Sequence, residues 1–435
     1  MRGLKIAIIG AGSTYTPELI EGFIERQEQL KVDSFFLMDI DPKKLDIIGG
    51  LAKRMLEAKG HPGKMILTSS LDEAIEGADY ILAQIRVGGL EARIKDEKIP
   101  AKYDLLGQET TGAGGFMNAL RTIPVIMNMV ERIKMLAPEA WLINFSNPSG
   151  ILAEAVLNHS NIKMLGLCNV PMGLVKDAEK LLPPGTQSFS YDYVGLNHLS
   201  WITAVYADGK EILSEKIGSG LEVSTMKNIP HMDYDIQMLK AVNAMPSSYL
   251  NYFYLRDEQK KHASESGKTR GEECMNIEAG LLELYQDKSL NRKPELLEKR
   301  GGAYYSTAAV SLIDAIENDK NELHVVNVKN CGALPFMEDD DAVEVKCLVN
   351  RRGVTPVKID KFDNPHIVGL MKAVKAYEKL TVLAGLKGRK DAALAALMVH
   401  PLIGDYIKAR DVLKDMLEAN KAYLPQFFKG DNQYE

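Results

Sequence analysis

Short apolar runs alternate with stretches of helical periodicity from the start of the chain to Leu167. Continuous apolar runs of this length are typical of parallel strands that are buried on both faces. Helices are predicted between them, notably over Thr16–Gln27, with Pro17 near its first turn, and over Phe116–Leu136. The alternation predicts an α/β fold with a parallel, doubly wound sheet and right-handed crossovers. The predicted strands are Leu4–Ile9, Ser34–Met38, Tyr80–Ile85, Trp141–Phe145 and Met164–Leu167.

The pattern becomes mixed from about Tyr191, where strand-like runs are separated by helical stretches of varied length. We therefore predict two domains, the doubly wound sheet over residues 1–190 and an α+β domain over residues 191–435. Much of the chain after residue 360 is predicted to be helical. The strand-like runs of the second domain are Tyr191–Leu196, Leu199–Tyr206, His324–Lys329 and Ala342–Val349.

A glycine-rich turn follows the first predicted strand and fits a dinucleotide. Gly10 and Gly12 would let the backbone approach a pyrophosphate at the N-terminus of the next helix, as in a Rossmann-like domain. Asp39 follows the second strand and could accept from both ribose hydroxyls, which favours NAD over NADP. Two features depart from the usual fingerprint: Tyr15 replaces its third glycine, and Asp39 lies beyond the usual spacing of about 20 residues. The alternative is an ordinary glycine turn in another α/β protein.

Ligands of a doubly wound sheet bind outside the carboxyl ends of its strands. Asn147 follows the fourth predicted strand, and Cys168 and Asn169 follow the fifth. His198 starts a strand-like run and could join Cys168 in binding a metal, because mixed thiolate and imidazole ligands suit a borderline divalent ion. The alternative is a buried, inert cysteine and a hydrogen-bonded turn histidine.

Tyr249, Tyr252 and Phe253 are spaced to share one face of a helix. Aromatic packing is the plain interpretation of this spacing. A tyrosine could instead act as a base, but its pKa is ordinarily about 10. A cation or a metal would then have to lie close to the phenol to favour its charged form.

Two arginines lie in conspicuous stretches, and the position of one of them suggests an anion ligand. Thr269 and Glu272 form a T-x-x-E capping box, which places Arg270 at the first position of the following helix. A cation there opposes the helix dipole, and an anion bound against it would relieve the conflict. Arg93 lies in a charged stretch after the strand that ends at Ile85. The alternative for both arginines is a solvated surface position.

Composition narrows the class of protein further. The formal net charge of −6 argues against nucleic acid or an anionic membrane as the main partner. The cysteines at positions 168, 274, 331 and 347 are far apart, which favours a reducing cytoplasm over a disulfide framework. The first apolar run is too short for a signal peptide, and no stretch reaches the roughly 20 apolar residues of a membrane span. We expect a cytoplasmic protein.

Taken together, the motifs make the chain similar to glycoside hydrolase family 4, the NAD-dependent glycosidases. The similarity covers nearly the whole chain and implies a fold close to that of lactate and malate dehydrogenases. Eight ordered stretches carry it: GAGSTYTPEL, GGLEARIKDE, GQETTGAGG, NFSNP, CNVP, GLNH, PSSYLNYFY and TRGEE.

The resemblance implies a role for particular residues of this chain. Cys168 and His198 would hold a divalent metal, usually Mn²⁺, and Tyr249 would remove the C2 proton of the sugar. Arg93 and Arg270 would hold the sugar 6-phosphate. The substrate-binding residues would be Arg93, Glu109, Asn147, Asn169 and Arg270. The NAD-binding residues would be Gly10, Gly12, Ser13, Thr14 and Asp39.

The resemblance also implies an activity. The stretch CNVP resembles the 6-phospho-β-glucosidase branch of the family, whose substrates are 6-phospho-β-glucosides such as cellobiose 6-phosphate. The implied route differs from hydrolysis by two carboxylates. NAD⁺ oxidises C3, a base removes the C2 proton, the glycosidic oxygen is eliminated, water adds, and NADH returns the hydride. The residues after 190 would bind substrate and metal and form a homodimer or homotetramer.

Rival interpretations remain open at this point. A 2-hydroxy-acid dehydrogenase of the lactate or malate type would share the first domain and would accumulate NADH. A 6-phospho-α-glucosidase or an α-galactosidase of the same family would share the whole mechanism. A sensor of NAD or sugar phosphate on the same scaffold would bind these ligands without turnover.

Overall fold

The computed structural model of the chain describes residues 2–219, 221, 229, 232–300 and 305–428. The strands of these ranges are β1 (Leu4–Ile9), β2 (Val32–Met38), β3 (Lys64–Thr68), β4 (Tyr80–Ala83), β5 (Trp141–Asn144), β6 (Lys163–Gly166), β7 (Phe189–Leu196), β8 (Leu199–Ala207), β9 (Lys210–Glu211), β10 (Met245–Pro246), β11 (Glu322–Lys329), β12 (Ala342–Asn350) and β13 (Gly353–Pro356). Short 3₁₀ helices lie at Ser248–Leu250, Glu295–Arg300 and Lys421–Tyr423.

The α-helices cover both faces of the main sheet and form most of the C-terminal part. Those of the described ranges are α1 (Thr16–Glu25), α2 (Pro42–Ala58), α3 (Leu71–Ile75), α4 (Gly89–Ala101), α5 (Gly112–Leu136), α6 (Ser149–His159), α7 (Val170–Glu179), α8 (Leu213–Ser219), α9 (Ile236–Val242), α10 (Asn251–Tyr254), α11 (Arg256–Glu265), α12 (Arg270–Gln286), α13 (Tyr305–Glu317), α14 (Pro365–Lys387), α15 (Lys390–Val399), α16 (Tyr406–Ala419) and α17 (Pro425–Phe428).

A nine-stranded sheet forms the centre of the molecule, with the order β13-β12-β11-β6-β5-β4-β1-β2-β3. Strands β1 to β6 are parallel and follow the doubly wound order 3-2-1-4-5-6. The predicted doubly wound parallel sheet is therefore confirmed. Strand β3 is absent from the predicted strands, because its residues are largely half-buried or exposed at the sheet edge and form no fully buried apolar run.

The helix bounds differ from the prediction at two ends. Helix α1 ends at Glu25 rather than at Gln27, because Arg26 leaves the helical conformation with φ −113°. Helix α5 begins at Gly112 rather than at Phe116, so it includes the glycine-rich stretch before Phe116.

Three strands from the second half of the chain extend the same sheet. Strand β11 pairs antiparallel with β6, where Asn327 lies opposite Gly166, and β12 and β13 follow outward. A Cβ atom at Gly166 would lie 2.9 Å from the Asn327 Cβ, so the two strands meet closely. The predicted division at residue 190 therefore does not coincide with a break in the main sheet, and the two-domain division stays a prediction.

A second, four-stranded sheet is built around the β7–β8 hairpin. It packs against the main sheet through β12, where the Tyr193 hydroxyl donates to Glu344 Oε2 at 2.7 Å. The Lys346 ammonium donates to the Tyr191 carbonyl at 2.6 Å across the same contact. The hairpin turn, Asn197-His198, is therefore carried to the carboxyl-end side of the main sheet.

The long C-terminal helix α14 has strong sequence signals at both ends. Asn364 caps its first turn by accepting from the Ile367 N–H, Pro365 occupies the first turn, and Gly388 ends it with φ 67°. The helix packs against α5 and α6 and carries a buried ion cluster, in which Lys375 pairs with Glu154 and Glu378. Within the described residues, no helix combines the length and apolar character needed to cross a membrane.

Candidate active site

The glycine-rich turn between β1 and α1 leaves no room for side chains at two positions. Gly10 has φ 86°, and a Cβ atom there would lie 2.8 Å from the Gln84 carbonyl oxygen. A Cβ atom at Gly12 would lie 2.7 Å from the Asp39 carboxylate, which accepts from the Gly12 N–H at 2.7 Å. Such a bare backbone beside a helix N-terminus fits the diphosphate of a dinucleotide.

The other predicted cofactor residues lie in the same turn. Ser13 accepts from the Tyr15 N–H through its hydroxyl at 3.3 Å, and the Thr14 carbonyl accepts from the Tyr285 hydroxyl at 2.8 Å. Asp39, at the end of β2, also accepts from the Asp41 N–H at 2.9 Å. The structure therefore brings together the five residues Gly10, Gly12, Ser13, Thr14 and Asp39, and their role in binding NAD stays a prediction.

Cys168 and His198 meet although 30 residues separate them in the chain. The Cys168 Sγ lies 3.5 Å from the His198 Nε2, and both side chains are buried. Two ligands of one metal ion are typically about 3–4 Å apart. The His198 Nδ1 is buried without a hydrogen-bond partner. The thiol and imidazole therefore fit a pair of metal ligands, and that role stays a prediction.

Within the described ranges, no group of three or more histidine, cysteine, aspartate or glutamate side chains could hold a metal ion. Burial raises the pKa of the Cys168 thiol and lowers the pKa of His198 to about 3, which favours the neutral form of each. Cys168 and His198 would therefore need further ligands from substrate or water to complete a coordination sphere.

Tyr249 lies directly on His198. The two rings stack with centroids 3.9 Å apart and 13° between their planes. Tyr252 meets Tyr249 edge-on with centroids 5.8 Å apart. The predicted single helix face is divided in the structure, because Tyr249 lies in a 3₁₀ helix and Tyr252 in α10. Burial first, and then the neighbouring Cys168, raise the pKa of Tyr249 well above its ordinary value, so the isolated chain favours the neutral phenol.

The Glu109 carboxylate is in charge contact with His198 and Tyr249 of this cluster. It pairs with Arg86 and, at 2.9 Å, with Arg93. Burial favours its neutral form, but the charges of Arg86 and Arg93 outweigh that effect and lower the pKa of Glu109 to about 2. The sequence analysis assigned no role to Arg86; its position just beyond the carboxyl end of β4 is the signal that could have drawn attention to it.

The two predicted phosphate ligands lie on neighbouring helices. Arg93 is buried on α4, and its Nε donates to Glu97 Oε1 at 2.8 Å. The other oxygen of Glu97 accepts from the Gly271 N–H at 2.7 Å, next to Arg270. The predicted capping box is present at the start of α12. The Arg270 guanidinium donates to Glu273 at 2.8 Å, so it is neither fully solvated nor free of protein partners.

Asn147 and Asn169 border the same region. The Asn147 carbonyl accepts from the Asn118 side chain at 3.1 Å, and Asn118 also donates to the Glu109 carbonyl at 3.3 Å. The Asn169 Oδ1 lies 4.0 Å from the Cys168 Sγ, at the N-terminus of α7. The structure thus links every predicted substrate residue to the cluster of Cys168, His198 and Tyr249 or to Glu109 and its arginines, and their roles in binding substrate stay predictions.

The fold places the chain among proteins of dehydrogenase-like architecture. Lactate dehydrogenase of Cryptosporidium parvum superimposes with a TM-score of 0.55 over 88% of this chain and 98% of that one. Malate dehydrogenase of Plasmodium falciparum gives a TM-score of 0.53 over 88% and 100%. Both are 14% identical to this chain and so show the fold alone. The predicted likeness to these dehydrogenases is confirmed.

The family is shown by two matches that together span most of the chain. The model of the family 4 glycosyl hydrolases matches residues 5–183, and the model of the family 4 glycosyl hydrolase C-terminal domain matches residues 193–403. The chain belongs to glycoside hydrolase family 4, as the motifs predicted.

The similar relatives carry related names. A Bacillus subtilis protein named "Probable 6-phospho-beta-glucosidase" is 44% identical, with 98% of each chain covered. The 6-phospho-beta-glucosidase of Escherichia coli is 39% identical, covering 98% of this chain and 97% of the relative.

Solved structures of the 6-phospho-beta-glucosidase from Thermotoga maritima are also similar. One, with NAD and glucose-6-phosphate, is 37% identical, with a TM-score of 0.88 over 97% of this chain and 99% of that one. Another structure of that protein, with a TM-score of 0.86 and 35% identity over 97% and 99%, contains manganese, NAD⁺ and glucose-6-phosphate.

Proposed function

We propose that this chain is a 6-phospho-β-glucosidase that uses NAD⁺ and a divalent metal, most readily Mn²⁺. The observation that carries the proposal is the contact of Cys168, His198 and Tyr249 beside the Glu109–Arg93 pair. The cluster offers a metal-ligand pair, a phenol and cationic groups in one site. Cys168 and the turn that fits a dinucleotide both follow the carboxyl ends of parallel strands of the main sheet. The names and ligands of the relatives support the same function.

Each part of the site has a chemical task in the reaction proposed. Bound NAD⁺ would supply a hydride acceptor for C3 of the sugar and Mn²⁺ would supply positive charge for the oxygens at C2 and C3. Tyr249 would take the C2 proton as the phenolate, a form that the charge of a metal held by Cys168 and His198 would favour, since the Tyr249 ring stacks on His198. Arg93 and Arg270 bind the phosphate dianion, which suits the planar fork of a guanidinium.

Asn169 bears on the choice between β- and α-glycosides. An amide cannot donate a proton as an acid, so Asn169 cannot protonate the leaving group. Relatives acting on 6-phospho-α-glucosides carry an aspartate at the matching position, as the resemblance implies. The asparagine at this position therefore favours a β-glycoside as the substrate.

Hydrolysis of p-nitrophenyl 6-phospho-β-glucoside under reducing conditions tests the proposal. We expect release of nitrophenol only when phosphate, β-linkage, NAD⁺ and Mn²⁺ are all present, without net formation of NADH. The α-anomer and the unphosphorylated β-glucoside are the matched controls. Turnover of the α-anomer alone would contradict the β-assignment, and steady NADH formation from a 2-hydroxy acid would identify a dehydrogenase instead.

We infer that the protein works in the cytoplasm. The four cysteines are all free thiols, and a reducing compartment keeps thiols in that form. We also propose that the chain forms a homodimer or homotetramer and that it has no nucleic acid or membrane partner. Size-exclusion chromatography with light scattering measures the number of subunits.

A further inference from the structure

A guanidinium from the second half of the chain lies on the glycine-rich turn. Arg300 ends the 3₁₀ helix Glu295–Arg300, and its Nη1 donates to the Thr14 Oγ1 at 2.5 Å. The guanidinium carbon lies 5.4 Å from the centroid of the Tyr15 ring, and the side chain is only 10% exposed. Arg300 therefore faces the two residues that follow Gly12 and Ser13 in the turn.

Helix α12 fixes both Arg300 and the turn in place. The Arg270 Nη2 donates to the carbonyls of Lys299 and Arg300, each at 3.0 Å. From the other end of α12, the Tyr285 hydroxyl donates to the Thr14 carbonyl at 2.8 Å. The position of Arg300 over the turn is thus set by hydrogen bonds on both sides rather than by a flexible side chain alone.

Arg300 shares its carboxylate partner with a second cation. Glu278 accepts from Arg300 at 3.1 Å and from Lys44 at 2.5 Å, so one carboxylate serves two cations. Glu18, in the first turn of α1, is in charge contact with Tyr15, and Lys293 opposes the Glu18 charge. A cation that shares its carboxylate partner near the positive end of a helix is stabilised further by a bound anion.

We propose that Arg300 binds the diphosphate of the dinucleotide and so closes the glycine-rich turn from the second half of the chain. The inference rests on the proposed function, because the ligand is the NAD⁺ of that reaction. The planar fork of the guanidinium matches two phosphate oxygens, whereas an ammonium meets them as a single point charge. Arg300 can exchange its bond to Thr14 for the diphosphate while Arg270 holds its backbone.

Calorimetric titration of the full chain with NAD⁺ and with ADP tests the assignment. ADP carries the adenosine and the diphosphate without the nicotinamide. Arg300→Gln should raise the Kd for both ligands about 10- to 100-fold, as expected for the loss of hydrogen bonds to a charged group. Arg300→Lys keeps the charge and should recover part of that loss.

Two further variants separate ligand binding from structural support. Lys299→Gln removes the same charge from the adjacent, exposed residue and should leave the Kd within about twofold of wild type. Glu278→Gln frees Arg300 and Lys44 from their shared carboxylate and should tighten NAD⁺ binding about threefold. A merely structural Arg300–Glu278 pair predicts the opposite effect of Glu278→Gln.

Some results would overturn the assignment of Arg300. These are an unchanged Kd for NAD⁺ and ADP in Arg300→Gln, or weaker binding in Glu278→Gln by the same factor as in Arg300→Gln. The melting temperature of each ligand-free variant shows whether the fold is retained. Failure of the proposed function has a different signature, since the wild-type chain would then bind NAD⁺ without hydrolysing the 6-phospho-β-glucoside.

Discussion

His198 has a backbone conformation that few residues other than glycine adopt. Its φ is 64°, in the left-handed region, and it is the second residue of the two-residue loop between β7 and β8. The sequence predicts His198 at the start of a strand-like run, with a turn histidine as the alternative. The loop position instead turns the imidazole toward Cys168, which is how residues so distant in the chain come to share a site.

Tyr249→Phe tests whether the phenolic oxygen of Tyr249 is the base that removes the C2 proton. Removing the phenolic oxygen should lower kcat by about 10²–10⁴-fold, the usual contribution of a general base, and should abolish exchange of the C2 proton with solvent. NAD⁺ affinity should be unchanged, since Tyr249 lies outside the glycine-rich turn. Deuterium incorporation at C2, followed by NMR in D₂O, is the measurement.

Tyr252→Phe is the matched control for that substitution. Tyr252 is also buried and meets Tyr249 edge-on, so its replacement perturbs the same cluster without removing the proposed base. Exchange should persist in Tyr252→Phe. Loss of exchange in Tyr252→Phe but not in Tyr249→Phe would identify Tyr252 as the base.

At the scale of elements, one buried ion pair joins helix α4, which carries Arg93, to helix α5. Arg121 on α5 donates to both carboxylate oxygens of Asp96 on α4, at 2.8 and 2.5 Å. Both side chains are 1% exposed, and Arg121 also donates to Asn420 Oδ1 at 2.9 Å. Asp96 lies one helical turn after Arg93, so this pair helps to orient α4 above the site.

Arg121→Ala should therefore destabilise the fold strongly. It leaves the Asp96 carboxylate buried without its partner, a change that typically costs about 3–5 kcal/mol in the free energy of unfolding. Urea unfolding followed by circular dichroism measures the difference. Arg132→Ala, on the same helix, is the control: Arg132 pairs with Asp72 at an exposed position, where an ion pair contributes little to stability. Equal effects of the two substitutions would contradict the argument.

Local signals account for the elements that the sequence predicted well. The capping box of Thr269 and Glu272 and the turn of Gly10 and Gly12 depend on neighbours within a few residues, and both are present. Strand β3 was missed because an edge strand lacks the buried apolar pattern. No local pattern could reveal the contact of Arg300 with Thr14, because it joins distant parts of the chain. Arg86 had a local signal in its position after β4, but its contact with Glu109 depends on the fold.

At the scale of the whole molecule, stability should depend on the protonation of buried histidines. The His400 Nδ1 accepts from the Leu402 N–H at 3.1 Å, and its Nε2 lies 3.4 Å from the Thr111 hydroxyl oxygen. Burial lowers its pKa to about 3. The unfolded chain binds a proton near pH 6.5 and the folded chain does not, so this contribution is present above pH 6.5 and is lost as the pH falls.

When the pH falls from 7.5 to 5.5, the loss of the His400 contribution should lower the free energy of unfolding of the wild-type chain by about 1 kcal/mol. His400→Asn should remove that part of the pH dependence, and His262→Asn, at an exposed position on α11, should leave it intact. Urea unfolding of the metal-free chain at the two pH values gives the comparison. A wild-type pH dependence retained in His400→Asn would show that His400 is not the group responsible.

The pairing of β11 with β6 limits how this chain could exchange parts with its relatives. The first half, cut at residue 190, would leave β6 as an open edge where Asn327 now lies opposite Gly166. A hybrid enzyme joined there would have to recreate that close approach between strands inherited from two parents. Two designs would take β6 and β11 from the same parent and so keep their close contact. One places the crossover in surface loops away from β6 and β11, and the other replaces the main sheet together with β11, β12 and β13.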